Sequence, residues 1–328
     1  MIAQRRLCKW AVAAAIKPTA ALDFTEDLEE FPSVPCASDL ISVHVVRTDP
    51  TRNASNGKEV PVMRRLVVAV SLVVLVVAEA VPAHASVDGE FFFPCPLSHR
   101  AMDDPIVYPG QPGASHMHDF FGNNSTDAFS TAKSLAAHTT ECRIRKDKSA
   151  YWIPELYRHG VRVKPVKIQV YYRNRANKAP RPFPFGLKLV QGDHMATSPQ
   201  YDWAHREFWS CDAGPHHVKP TNCPAGTYLI MNIRFPQCWD GFHLDRPDHH
   251  SHMAYPDGNG KCPANHPVVL PMLLLEVQFN IHNGGKGGFK LASGSIYGIH
   301  GDFFEAWNHR KLASLIRSCI DKGVSCHL

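Results

Sequence analysis

No Cys-x-x-Cys pair occurs anywhere in the 328 residues, which argues against a structural zinc knot and against a thioredoxin-type redox site. Long apolar runs are missing as well. The run at residues 66–78 is thirteen residues and ends at Glu79, short of the roughly 20 that a membrane span needs, so no stable membrane span is expected. There is no internal repeat and no low-complexity tract. Charge of one sign is not in excess either: 35 Lys and Arg face 30 Asp and Glu, a net charge of +5. Without a clustered basic stripe, that balance excludes nucleic acid as the partner, and the short "RIRKDK" around Arg143 reads as a solvated face. A nucleophile elbow is absent, since "ASGSIYG" lacks the strand-turn-helix setting. "NGGKGG" has no following Ser or Thr and no helix, so it reads as a hairpin turn before a phosphate loop.

The stretch "MRRLVVAVSLVVLVVAEAVPAHA" from Met63 has a basic start, an apolar run and Ala83-His84-Ala85 ahead of Ser86. This is the pattern of a secretory signal peptide over residues 63–85. Residues 1–62 then read as a misassigned N-terminal extension, and the secreted, extracellular domain as residues 86–328, a length of 243 that suits one domain. Eight cysteines fall in that part, an even set that reads as four disulfides in an oxidising compartment. The spacing suggests the local pairs Cys211 with Cys223 and Cys319 with Cys326. The full pairing stays open among 105 possibilities.

Pro and Gly punctuate short runs rich in β-branched and aromatic residues: "VRVKPVKIQVYY", "FGLKLVQG", "TYLIMNIRF", "VVLPMLLLEVQFNI" and "GFKLASGSIYG". They predict a mainly β fold, a disulfide-stabilised β-sandwich or jelly-roll-like single domain. Two helices are expected, a short one near residues 130–138 and a C-terminal one in "DFFEAWNHRKLASLIRSCI". In the latter, Phe304, Trp307, Leu312, Leu315, Ile316 and Cys319 fall at helical spacing. Asp302 with Glu305 three residues on reads as the N-terminal cap of that helix. Tyr151, Trp152 and Tyr157 read as core.

The ordered motifs "DPIVYPG", "SHMHDFFGN", "KSAYWIPELY", "FPQCWDG", "SHMAYP", "HPVVLPMLLLEVQF" and "GIHGDFFEAW" together resemble a secreted domain-of-unknown-function family of actinobacteria and filamentous fungi. The resemblance runs from about Asp104 to about Cys319. It implies a secreted single domain and leaves the function open.

Function therefore has to come from residue types, and the expected mature part holds 18 histidines. His116 and His118 are two apart, so in an extended segment both imidazoles share one face. With His252 and His300 from separate loops they form a candidate metal set, because a catalytic zinc typically takes three protein ligands and leaves one position for water. Of the loop histidines, His250 and His252 make the better strand-face pair, His249 and His250 being unable to face one site together. Imidazole suits several metals, so the expected cofactor is a divalent transition metal, with zinc first. Its affinity should fall as imidazoles protonate near pH 6.5, and Asp119 is the candidate partner behind the ligands. Asp119 and Asp240 are the candidate catalytic acid or base, and Trp239 the candidate sugar platform. Asp240 also reads as a turn former beside Gly241, and it could pair with Asp245 or Asp119 as the carboxylates of a glycoside hydrolase. A copper histidine brace would need histidine as the first mature residue, and Ser86 argues against it.

These residues predict a His/Asp-lined cleft that acts on extracellular polysaccharide or another cell-wall component, by metal-assisted or carboxylate hydrolysis. The alternatives are a non-catalytic carbohydrate- or metal-binding module, and a structural or interaction protein. The processing step gives the first test: N-terminal sequencing of the secreted product should start at or near Ser86, and recovery of residues 1–62 would overturn the leader assignment.

Overall fold

In "EFFFPC", Phe91, Phe93 and Cys95 are buried while the residues between them are half-buried. That period of two is what a strand with one face on a core requires. The computed structural model describes residues 89–199, 206–282 and 287–328. The expected signal peptide, the extension before it and Ser86 lie outside the described residues.

The chain opens with β1 (Glu90–Cys95), β2 (Leu97–Ala101), β3 (His118–Gly122), helix α1 (Ala132–Ala137), β4 (Ala150–Pro154), β5 (Leu156–Arg158), β6 (Val161–Val163) and β7 (Pro165–Arg173). There follow β8 (Lys188–Gly192), β9 (Glu207–Cys211), β10 (Leu229–Arg234), β11 (Cys238–Trp239), β12 (Met253–Ala254) and β13 (Val268–Val269). The last elements are β14 (Met272–Phe279), β15 (Phe289–Leu291), β16 (His300–Phe304), α2 (His309–Leu315) and β17 (Ser325–His327). Two sheets dominate, one of six strands in the order β17-β1-β7-β14-β10-β9 and one of five in the order β2-β3-β4-β16-β8. The fold is mainly β, as the alternating runs predict. No helix among the described residues is long and apolar enough to cross a membrane.

The principal core takes Phe91, Tyr172 and Ile233 from the first sheet and Tyr151, Ile153 and Phe303 from the second. Burying each such side chain contributes on the order of 1.5–3 kcal/mol. Polar handles inside this core are satisfied in series: Trp307 Nε1–H donates to the Tyr172 hydroxyl at 2.9 Å, the Tyr172 and Tyr151 hydroxyls lie 2.6 Å apart, and Tyr151 donates to Asp147 at 2.6 Å. Tyr151 and Trp152 are fully buried, as expected, while Tyr157 is half-buried. Four disulfides close the framework: Cys95–Cys142, Cys211–Cys223, Cys238–Cys262 and Cys319–Cys326. Two of them are the local pairs that spacing suggested.

The C-terminal helix is shorter than its apolar spacing suggests. Asp302 lies in the middle of β16, and the cap is Asn308, whose side chain accepts from the Lys311 N–H at 3.1 Å. Leu312, Leu315, Ile316 and Cys319 are buried at the expected helical spacing. Phe304 and Trp307 are buried by a different route, as a strand residue and in a bridge to Asp147. Alternation over His300, Gly301, Asp302, Phe303 and Phe304 is a period of two, and it prevails over the overlapping helical spacing because β4 and β8 both pair with this segment.

Glu305 is fully buried behind β16, and its oxygens accept from the Gly186 and Trp307 N–H groups at 2.9 Å. Burial pushes its carboxyl up to about 8. The folded protein then keeps a proton that the unfolded chain gives up near 4.5, so its contribution is full below that value and declines as pH rises towards 8. The slope is at most about 1.4 kcal/mol per pH unit. Glu305→Gln should flatten that decline, as read by urea unfolding at pH 5 and pH 8, whatever constant loss the substitution adds.

Candidate functional site

The outer face of the five-stranded sheet carries the side chains that the core cannot take. In β16, His300 and Asp302 are two residues apart and so share a face, while Gly301 between them points to the opposing sheet. A methyl group on Gly301 would come within 2.7 Å of Ile233 Cδ1. Strand β4 lies between β3 and β16, with His118 opposite Pro154 and Asp302 opposite Trp152. Continuing that register by two residues brings His300 level with Pro154, and therefore with His118. His116 precedes β3 in the loop that folds over this face, and its ring still meets its neighbours: the centroids lie 4.3 Å from His118 and 4.9 Å from His300.

The ring nitrogens are directed by the backbone. His118 Nδ1 lies 3.0 Å from the Asp103 carbonyl and His300 Nδ1 lies 2.8 Å from the Gly298 carbonyl. A carbonyl only accepts, so Nδ1 carries the proton in each ring and Nε2 presents a lone pair. His300 Nε2 is 3.0 Å from His116 Nε2, whereas the buried His118 Nε2 has no hydrogen-bond partner among the described residues. The three imidazoles form one group whose ligand atoms lie within 4.8 Å of one another, close enough to hold a metal ion, and Asp104, His118 and Asp302 form an adjoining group of the same kind. Both Asp302 oxygens are buried and unpartnered. Asp104 is held by an Asx turn, with Oδ1 accepting from the Ile106 and Val107 N–H groups at 2.9 Å.

Desolvation dominates the electrostatics. Burial, with His194 nearby, lowers His116 to about 4, and burial lowers His300 to about 3. Burial and the two neighbouring imidazoles push His118 well below its ordinary value. Burial raises Asp104 and, together with the Asp104 charge, holds Asp302 well above the usual carboxylate range. A metal needs neutral imidazole, so its loss on acidification is displaced below the ordinary value near 6.5. Above these groups opens a cavity of about 300 Å³, with Tyr108, Asp193, His194, His249 and His250 on its walls.

The remaining candidates lie elsewhere. His252 does not join the three imidazoles: its Nε2 lies 2.8 Å from the Lys188 carbonyl. His250, its proposed partner, lines the cavity wall. Asp119 points to the opposite face of β3, where Oδ1 meets Arg162 at 2.5 Å, next to Glu155 and Arg100. Burial raises its carboxyl to about 6 against the pull of Arg162. Asp240 is a turn residue. Burial pushes its carboxyl up, but the His243 and Phe242 amides and the His243 ring outweigh that and hold it at about 2. Such a carboxyl has no proton to give at neutral pH. Asp245 pairs with His249 and Lys188. Trp239 is half-buried against the core, its Nε1–H donating to the His243 carbonyl at 2.7 Å. Asp104, His194 and the site role of Asp302 were not anticipated. The His300-x-Asp302 spacing, the same as His116-x-His118, was the available signal for Asp302.

Residues 104–307 match the family described as Domain of unknown function (DUF1996), and the chain belongs to that family. The match spans every member of the His/Asp group. No curated protein and no solved structure matches the chain.

An unpartnered buried carboxyl costs on the order of 1–3 kcal/mol, more when charged. Asp302→Asn removes, at nearly constant volume, the cost of holding this carboxyl neutral in the fold, so with a chelator present at pH 7 the variant should unfold at higher urea concentration than the parent. An unchanged or lower midpoint would mean that Asp302 has a partner.

Proposed function

We propose that this protein is a secreted metal-dependent hydrolase of polysaccharide, with His116, His118 and His300 as the ligands of one divalent transition metal, zinc being the first choice. The observation that carries the reading is the His118 ring: its Nδ1 is committed to a backbone carbonyl, and its buried Nε2 lone pair has no donor within reach beside an equally unpartnered Asp302. Buried polar atoms are paired in nearly all native sites, and two such atoms side by side within a His/Asp group support a cation there. The 3.0 Å between His116 Nε2 and His300 Nε2 is close to the roughly 3.3 Å expected between two ligands of a tetrahedral zinc bonded at 2.0–2.1 Å.

Three imidazoles leave a fourth position for water, whose acidity a bound metal raises. Asp302, next to His118, would be ionised by a cation held there and would then be the group to take a proton from the bound water. Hydrolysis adds that water across a glycosidic C–O bond: hydroxide goes to the anomeric carbon and a proton to the departing oxygen. The polar wall formed by Ser115, Tyr108, Asp193 and Asp248 supports a hydroxyl-rich substrate. The same ligand set without turnover would make a metal-binding module, and product release separates the two.

Purified protein should carry about one equivalent of transition metal by elemental analysis, and His116→Ala/His118→Ala should lose it while keeping the fold. Asp302→Asn should retain the metal and lose reducing-end release from laminarin or galactomannan by at least about 100-fold. Zinc binding weaker than about 1 mM by calorimetry, about −4 kcal/mol, would overturn the metal centre.

A further inference from the structure

The cavity over the histidines shares Gly192, Asp193 and His250 with a larger neighbour of about 550 Å³. That second cavity is built around Tyr255. Its hydroxyl lies 2.6 Å from both Gln191 Oε1 and the Arg234 carbonyl, and the amide of Gln191 donates to Glu207. Strands β8, β9 and β10 and the segment after β12 are thereby tied together, so this wall is set before any ligand arrives. The Arg206 guanidinium stacks 3.8 Å over the Tyr255 ring and leaves a flat, donor-rich plate at the cavity edge. Two further cavities, of about 530 and 440 Å³, also have Tyr255, Pro256 and Asp257 in their walls.

Charge along this series is mixed. Arg175, Arg206, Arg234 and Lys261 contribute four cations, and Asp193, Glu207 and Asp257 three anions. A polyanion is held by one sign of charge, which these walls do not offer. A chain of neutral hydroxyls needs both donors and acceptors, each worth about as much as the other, and these walls carry both.

We infer that this series of cavities is the binding cleft for a neutral polysaccharide chain, with the Arg206–Tyr255 stack and Asp193 forming the subsite next to the histidine centre. The inference deepens the hydrolase reading, on which it depends only for where the bond is cut. Binding of the chain itself needs no metal.

Native affinity electrophoresis tests it with chelated protein in gels containing laminarin, galactomannan or hydroxyethyl cellulose, against heparin and polygalacturonate as polyanions. At least one neutral polymer should retard the protein and neither polyanion should. Arg206→Ala should weaken the retardation at least tenfold, and Asp193→Ala serves if the first variant does not fold. His116→Ala/His118→Ala, checked for metal loss by elemental analysis, should be retarded like the parent. Retardation by no neutral polymer, retardation by a polyanion, or retardation unchanged in folded Arg206→Ala or, failing that, Asp193→Ala would each overturn the cleft. A protein that binds metal but no neutral polymer would lose the cleft and keep the metal centre.

Discussion

The close approach of β16 to the opposing sheet governs where the chemistry of this protein can lie. A methyl group at Gly301 would meet the end of the Ile233 side chain at 2.7 Å, and strand alternation turns the neighbours on either side, His300 and Asp302, to the outer face. β4 and β8 hold β16 from both edges, which removes the freedom to rotate these side chains elsewhere. At Gly192, opposite His300, a methyl group would fall 2.1 Å from the Ile299 carbonyl, and the backbone there adopts φ +94°. Strand β8 is therefore glycine-dependent at its end, opposite His300. The imidazoles and carboxylates are placed by the same packing that closes the core.

Two buried polar groups sit on opposite faces of one sheet and differ in how their charge is met. Asp119 and Glu155 face Arg100 and Arg162, so their ionised forms are paired. Such a network is expensive to break and modest in its net contribution to stability. Asp302, Asp104 and the three imidazoles have no cation among them. Desolvation accordingly pushes every one of these groups towards its neutral form. A cation would reverse that balance for the carboxylates and use the lone pairs that neutral imidazoles present. The compensated face reads as structure and the uncompensated one as a site.

The proposed cleft and the proposed metal group are built from different elements. The metal group depends on β3, β16 and the loop between β2 and β3, whereas the Tyr255 wall depends on β8, β9, β10 and the segment after β12. Asp193, His250 and Gly192 are common to both cavities. Gly192 and Asp193, at and just past the end of β8, put that strand at the junction of the two cavities: its paired part supports His300, and the residues just past it open onto the neighbouring cavity.

Local patterning was enough for the β class, the short helix at residues 132–137, the core role of Tyr151 and Trp152, and two disulfides closed by short loops. Alternation and chain proximity are local quantities, and burial follows from them. The two-residue spacing pointed to His116 and His118 as neighbours, but the choice of His252 and His300 beside them was not decided locally: the structure brings His300 to that pair and leaves His252 on the Lys188 carbonyl. Asp302 and Asn308 were less legible: both periods, two and three to four, run through "DFFEAWNHRK", and only pairing of β16 with β4 and β8 decides between strand and helix. Likewise, nothing local tells Asp119 from His118, yet one faces an arginine pair and the other an unpartnered carboxylate across the sheet. The sequence by itself determined which residue types were available and which of them share a face. The tertiary structure alone decided which charges meet a partner, since that depends on strands up to 184 residues apart, as His116 and His300 are, and desolvation acts only after they have been brought together.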